Sequence, residues 1–368
     1  MSFSFAFDVG CDADDAAVPG SADAAVPPEA PATPSSCAAR ASAHPSRPVD
    51  QSTLRQLLPD KISFSSLAVP LGDGRALYVA RRDLFDVRFQ ILNEDTESSP
   101  APLDVDSDLI PGVYEGGLKT WECALDLVAV LDEHVRRMRA GGDATWPQGR
   151  HIVEVGCGTA VPSCYLLRAL FDMPAPPSAP TVLNLADYNE EVLSLVVYPN
   201  LLLSWYFAAA GPGANADAGS GDLELDGALL DAFETALAQR MITLRFFAGS
   251  WDALQLSPRC ADLVLTSETV YAVDSAQQLC RVLEAMCWPT DEDNTRAGVQ
   301  PSSTLCLIAA KVLYFGVGGG VDEFRATLAQ HGGWSAVVRH IAKGVGRVVI
   351  RAGWQARGGG RQEGGDSM

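Results

Sequence analysis

Positive charge is scarce: 27 lysines and arginines face 46 aspartates and glutamates, a formal net charge of −19 over 368 residues. Direct nucleic-acid binding is therefore not expected, because cationic side chains must replace the phosphate counterions. A basic peptide or protein partner suits this field, as does plain solubility. Long apolar runs are missing too: Leu201 to Ala210 is the most apolar stretch of its length and falls short of the roughly 18 residues of a membrane span, so no membrane partner is expected. Ser2 to Asp8 has no basic start of a secretory signal, and the acids that follow do not fit an organellar transit peptide. The nine cysteines include no Cys-x-x-Cys pair. They sit in apolar segments such as 305–307, the pattern of reduced, buried thiols in a cytoplasmic or nuclear protein, and no metal site is visible. Five histidines in unrelated contexts, with no Gly-x-Ser-x-Gly elbow, leave a Ser-His-Asp hydrolase without support. His134 reads as a helix-surface residue and His151 as a strand start.

What is present suffices for a globular protein, since 47% of residues are hydrophobic and 20% charged. Residues 1–53 are rich in Ala, Pro and Ser and too poor in periodic apolar residues to offset chain entropy, so a disordered tail is expected, with order beginning near Leu54. Residues 54–104 form an N-terminal arm and linker. There the alternation of Ile62 and Phe64, of Leu77 to Val79, and of Phe85, Val87, Phe89 and Ile91 predicts a small β-rich unit. The main domain spans 105–355, and 356–368 is a flexible tail. Apolar positions 121, 124, 125, 128, 131 and 135 trace one helix face, with Thr120 as its cap.

Strands are predicted at Ile152–Val155, Val182–Ala186, Ile242–Phe247, Asp262–Thr266, Leu305–Ala310, Ala336–Ile341 and Arg347–Arg351. Crossover helices fit at Ser163–Phe171, Glu190–Tyr206 and Ser275–Cys287. The first five strands are then parallel and the last two form a hairpin around Lys343 to Gly346. Segments 174–180, 211–226 and 289–303 read as inserted surface loops.

The most informative stretch runs from His151 to Gly158, a buried-strand pattern entering a glycine turn. About thirty residues later a second apolar strand ends in Asp187. A strand, a turn where Gly156 and Gly158 admit a ligand to the backbone, a helix, and a strand ending in an acid make a nucleoside-binding βαβ half. A nicotinamide fingerprint would place its third glycine at Val161, whose side chain would crowd helix–strand packing.

Several motifs in order carry a resemblance to the seven-strand S-adenosylmethionine-dependent methyltransferases, and within them to the histidine protein methyltransferase family. They are Gly112–Cys123, Glu154–Ser163, Ala186–Asn189, Phe247–Trp251, Thr266–Tyr271 and Lys311–Gly320, with a fainter echo at Arg81–Gln90. The family's glycine turn departs here at Ala160, which stands in the last glycine position. The resemblance implies an α/β fold with a Rossmann-like sheet of seven strands, mostly parallel with an antiparallel C-terminal hairpin, and S-adenosyl-L-methionine as cofactor.

The site residues it implies are these. Glu154 binds the cofactor's amino group or its turn, while Gly156 and Gly158 bring main chain to the amino-acid moiety. Asp187 takes the ribose hydroxyls, with Tyr188 and Asn189 beside it. Gly249, Ser250 and Trp251 surround adenine, although Trp251 fits a core position equally well. Thr120, Trp121, Glu122 and Cys123 fold over the cofactor, where Trp121 with Glu122 or Glu115 suits a sulfonium; on sequence alone Trp121 fits equally as the first core residue of its helix. Ser267 touches the cofactor, and Glu268 and Tyr271 orient the acceptor. Tyr314, Phe315 and Gly316, opening a glycine-rich loop, meet a bound peptide.

The activity implied is protein-histidine N-methylation, on a histidine of a large-subunit ribosomal protein, by a monomer. A lysine-directed protein methyltransferase of the same fold and a non-catalytic S-adenosylmethionine-binding ribosome assembly factor are the open alternatives.

Overall fold

A computed structural model describes residues 45–94, 116–173, 177–209, 219–251, 254, 256–258, 260–271, 273–287, 304–314 and 319–354. All of them belong to the compact unit Ser42–Met368. The chain starts with β1 (Arg47–Val49), α1 (Gln51–Gln56), β2 (Lys61–Pro70), β3 (Ala76–Arg82) and α2 (Leu84–Glu94). It continues through α3 (Glu122–Ala140), β4 (His151–Val155), α4 (Val161–Phe171), β5 (Thr181–Asp187) and a long helix over Glu190–Ala209. There follow β6 (Ser220–Glu224), a helix Gly227–Gln239, β7 (Ile242–Ala248), β8 (Leu263–Ser267), a helix Val273–Met286 and β9 (Leu305–Lys311). A helix Val321–Gln330 precedes the hairpin of β10 (Gly333–Ile341) and β11 (Arg347–Trp354).

The main sheet runs β1-β7-β5-β4-β8-β9-β11-β10. Strands β7, β5, β4, β8 and β9 are parallel, and the hairpin closes antiparallel on β9. The seven expected strands, the parallel five and the terminal hairpin are all present. An eighth strand adds to the edge: Arg47 to Val49 pairs antiparallel with Phe246 to Ala248 of β7. Order therefore starts ahead of Leu54, and β1 with the opening residues of α1 falls inside the stretch expected to be disordered. Three residues are too few to show a pattern, and they are fixed only by pairing with a distant strand.

The order reverses at β4, so the carboxyl ends of β4, β5 and β8 open a crevice at the switch point. Period-two alternation splits β4, β8, β9 and β11 between two cores. Ile152, Leu183, Leu265 and Phe246 face the core under α3, α4 and the long helix, whereas Val153, Val264, Ile308 and Ile350 face the core under Val273–Met286 and Val321–Gln330.

The arm is a three-stranded antiparallel sheet, β3-β2-β6, whose third member comes from the segment read as a surface loop. Its helix α2 was expected as strand. Leu84, Val87 and Ile91 sit three to four residues apart and pack inward, while Phe85 and Phe89 are exposed, so the alternation of four apolar residues concealed a helical face. Glu190–Ala209 is long and apolar enough to cross a membrane by length and composition, in contrast to the reading of the sequence, but 78% of its most apolar stretch is buried inside the fold. Residues Leu193–Val197 within it form a π-helical turn. His134, expected at a helix surface, is half-buried edge-on to Trp146, and burial lowers its pKa from 6.5 to about 4.

Arg82 joins the arm to this helix. Its side chain is 1% exposed; its Nη1 donates to Leu195 O at 2.9 Å in the π turn, and its Nε donates to Asp86 at 2.6 Å. Its main-chain N–H donates to Asn200 Oδ1 at 2.7 Å. Removing one partner of a buried pair strands the other. Arg82→Ala should cost about 3 to 5 kcal/mol in urea denaturation; a loss below about 1 kcal/mol, the scale of exposed pairs, would contradict this anchoring role.

Candidate functional site

The site is built where β4 ends. Gly156 adopts φ 61°, and a Cβ there would lie 2.5 Å from Cγ2 of Thr269 and 3.7 Å from the Trp251 ring. Only glycine therefore fits between the β4 turn and the loop after β8. That loop is locked in turn, because the Thr266 hydroxyl lies 2.7 Å from both Val155 O and the Thr269 hydroxyl. Gly158 (φ 49°) takes a left-handed conformation that favours glycine, and a Cβ on it would sit 3.5 Å from the Gly117 Cα, an ordinary contact. Ala160, the departure from the family turn, adopts φ 52°, a left-handed conformation that glycine takes without cost and that alanine enters at about 1–2 kcal/mol.

Asp187 draws the crevice together. Its Oδ2 accepts the Gly158 N–H at 2.9 Å and its Oδ1 the Asn189 N–H at 3.1 Å, while Asn189 Nδ2 donates to Gly116 O at 2.8 Å. Thr120 meets Thr159 hydroxyl to hydroxyl at 3.0 Å. Residues 116–120 therefore fold back over the glycine turn although they precede it by some forty positions in sequence. Gly249 (φ 105°) donates to Asp187 O at 3.0 Å and Tyr188 O at 3.1 Å, which brings the end of β7 to the same rim. Tyr188 and Trp251 are half-buried there, and Ser250 is buried in a bridge to Pro45.

Glu154 lies on the Ile152 face of β4, beneath α4, and is 1% exposed. Its Oε2 accepts the Ser163 N–H at 3.0 Å and the Ser163 hydroxyl, closing the first turn of α4. Burial raises its pKa from 4.5 to about 8, against the opposing Ser163 bonds.

Beyond the glycine turn a second cluster surrounds Glu268, itself at φ 58° after β8. Its side chain is 10% exposed, and Lys311 Nζ at the end of β9 lies 3.5 Å from its Oε1. Burial, reinforced by the charge of this carboxylate, pushes the pKa values of the nearby Cys123 thiol and Tyr314 hydroxyl upward. Glu268 Oε1 is buried and, apart from this ion pair with Lys311, accepts no hydrogen bond among the described residues. Such an atom carries a desolvation cost that a donor arriving with a ligand would relieve.

Lys311 Nζ also sits 4.4 Å from the centroid of Trp121 and 3.9 Å from Glu122 Oε2, and Lys119 Nζ lies 4.8 Å from the same ring. The aromatic face expected to meet a sulfonium thus holds the chain's own ammonium groups. Trp121, rather than Thr120, is the N-cap residue of α3 and is half-buried. Tyr271 stands 6.5 Å from Tyr314, ring to ring. Ser267 ends β8, half-buried.

A Cβ on Gly319 would lie 2.2 Å from Tyr271 O, so the far end of the glycine-rich loop is pressed onto the same region. Phe315 and Gly316, with Glu115, lie outside the described residues. Lys311, Thr266 and Thr269 lie in motifs that carry the family resemblance, but none of them received a role of its own from the sequence; a lysine closing the apolar run 305–310 was the available signal for the first.

The chemistry of the donor set fits S-adenosylmethionine. Two left-handed glycines bring the backbone close, a buried acid ends the second strand, and aromatic residues rim the turn.

No family model matches the chain. It is 30% identical over 300 residues to Histidine protein methyltransferase 1 of Schizosaccharomyces pombe, a match covering 78% of each chain. Against the Saccharomyces cerevisiae protein of the same name the identity is 32% over 306 residues, covering 76% of this chain and 75% of the other. Magnesium protoporphyrin IX methyltransferase of Synechocystis, solved with S-adenosylhomocysteine, overlaps 73% of this chain and 94% of its own at 11% identity, with a TM-score of 0.34, too low to bear on fold or function.

The Glu154 shift has a definite sign. In the unfolded chain this carboxyl ionises near 4.5 and in the fold near 8, so the fold loses stability as pH rises through that window. Glu154→Gln has no such proton to hold, and its stability relative to the wild type should climb between about pH 5 and about pH 8 in thermal melts. A difference independent of pH would contradict the assignment.

Proposed function

The chain belongs to the histidine protein methyltransferase family, and from that premise we propose that it methylates a ring nitrogen of a histidine on a large-subunit ribosomal protein, with Glu268 orienting the acceptor. It is an S-adenosylmethionine-dependent protein-histidine methyltransferase with a protein substrate. The ribosomal client, its meeting with a monomeric enzyme in the cytoplasm or nucleus, and the roles of individual residues are the proposal.

When bound, S-adenosylmethionine supplies an electrophilic methyl carbon on a sulfonium. The backbone at Gly156 and Gly158 holds its amino-acid end, Asp187 accepts from the ribose, and Tyr188, Asn189, Gly249, Ser250 and Trp251 border the base. Thr120 to Cys123 and Ser267 close the near side.

The observation that supports the acceptor assignment is the buried Oε1 of Glu268, which faces the Lys311 ammonium at 3.5 Å but accepts no hydrogen bond among the described residues. An imidazole N–H donated to this oxygen fixes the tautomer, so the opposite nitrogen faces the methyl carbon with its lone pair. With a reference pKa of about 6.5, histidine already carries that lone pair near neutral pH, so no base need remove a proton first. Alignment is then the main requirement, and it contributes about 7 to 11 kcal/mol in well-oriented reactions. The carboxylate stabilises the positive ring formed on transfer, and the ring proton subsequently leaves to water. Tyr271 and Tyr314, with Phe315 and Gly316, line the approach of the peptide. The net charge of −19 suits a basic ribosomal protein.

Incubating ribosomal large-subunit proteins with the enzyme and methyl-labelled cofactor, then hydrolysing and separating the labelled residues, tests the reading. Methylhistidine is expected; methyllysine, or cofactor binding without label, would overturn it. Glu268→Gln should lower kcat about a hundredfold while the cofactor dissociation constant stays within about threefold. Equal loss of both would move Glu268 into the cofactor site.

A further inference from the structure

Resting on the assignment of Glu268 to the acceptor pocket, we propose that Lys311 is the specificity-determining residue that admits a neutral ring and turns away a cationic amine. The position is built rather than incidental. Lys311 closes β9, five of whose seven residues are buried, and its side chain is 16% exposed. Its ammonium lies 3.5 Å from Glu268 Oε1, 3.9 Å from Glu122 Oε2, 4.4 Å from the Trp121 centroid and 5.8 Å from that of Tyr314. Two carboxylates and two aromatic faces are the chemistry that captures an alkylammonium. Here the cage is filled by a residue of the chain itself.

Lys119 adds a second ammonium over Trp121, and Asp126 is engaged by Arg347, with Nε at 2.5 Å and Nη2 at 3.5 Å from its two carboxylate oxygens. A lysine acceptor reaching for Glu268 would bring its ammonium to within a few ångströms of Lys311, where partial burial limits screening by water. A neutral imidazole brings a single N–H to Oε1 and no charge. Methyl transfer to it leaves the total charge of the pocket unchanged, because the positive charge passes from sulfur to the ring. A protonated amine would instead add a further charge before any reaction, and would still have to give its proton to solvent to become a nucleophile.

The test uses small probes of the two acceptor classes, so it does not depend on knowing the client protein. Binding of imidazole and of n-butylammonium to the full chain loaded with S-adenosylhomocysteine is measured by ligand-observed NMR at about pH 8, where imidazole is neutral and the amine charged. The wild type is expected to favour imidazole. Lys311→Met, and Lys311→Gln should the first variant fold poorly, is expected to tighten n-butylammonium at least tenfold relative to imidazole, while Lys311→Arg keeps the wild-type ratio. A ratio within twofold of wild type in a neutral variant that melts cooperatively would overturn the proposal. The two ideas fail separately: methylhistidine produced with an unmoved ratio removes only the role of Lys311, whereas a shifted ratio without methylhistidine removes the acceptor reading.

Discussion

The carboxylate of Asp187 is the tie on which the crevice depends. Through Gly158 it fixes the turn after β4, and through Asn189 it fixes the start of the long helix; Asn189 in turn holds Gly116 O. Three segments far apart in sequence are thus set by one buried acid. Hydrogen bonds to a charged acceptor are stronger than neutral ones, and fixing several segments at once removes freedom that a ligand would otherwise have to remove on binding. Glycine at 156, 158 and 117 is what allows these backbones to meet.

Around this tie the polar groups of the interior are structural supports. Glu154 closes the first turn of α4. Asn200 donates to Thr159 O in the glycine turn and accepts from Arg82, so the arm reaches the cofactor turn through one buried amide. The N-terminal arm is therefore part of the scaffold of the site, and its third strand, β6, comes from between β5 and β7.

The parallel strands and the hairpin could be read from sequence because each is an apolar run bounded by turn residues, a pattern that needs no knowledge of partners. Gly156, Gly158 and Asp187 could be read because they end such runs in order. Features fixed by long-range pairing could not: β1 is three residues long, and β6 (Ser220–Glu224) is mostly polar, with one buried leucine. In α2, periods of 2 and 3.6 coincided over Phe85 to Ile91, and only packing decided between them. Lys311 opens one of the family motifs but received no role for a related reason, since its meaning comes from Glu268, Glu122 and Trp121 converging on it from other elements. The left-handed Ala160 is the converse case: the family resemblance flagged the position, and the backbone explains why glycine is the usual occupant.

The central claim is that the Asp187-tied turn is a preformed nucleoside site. Isothermal titration calorimetry of S-adenosylhomocysteine against the wild type and Asp187→Ala tests it most directly. One molecule bound per chain is predicted for the wild type, with affinity at least tenfold weaker in a variant that still melts cooperatively. Equal affinities in the two proteins, or no binding to the folded wild type, would contradict the account.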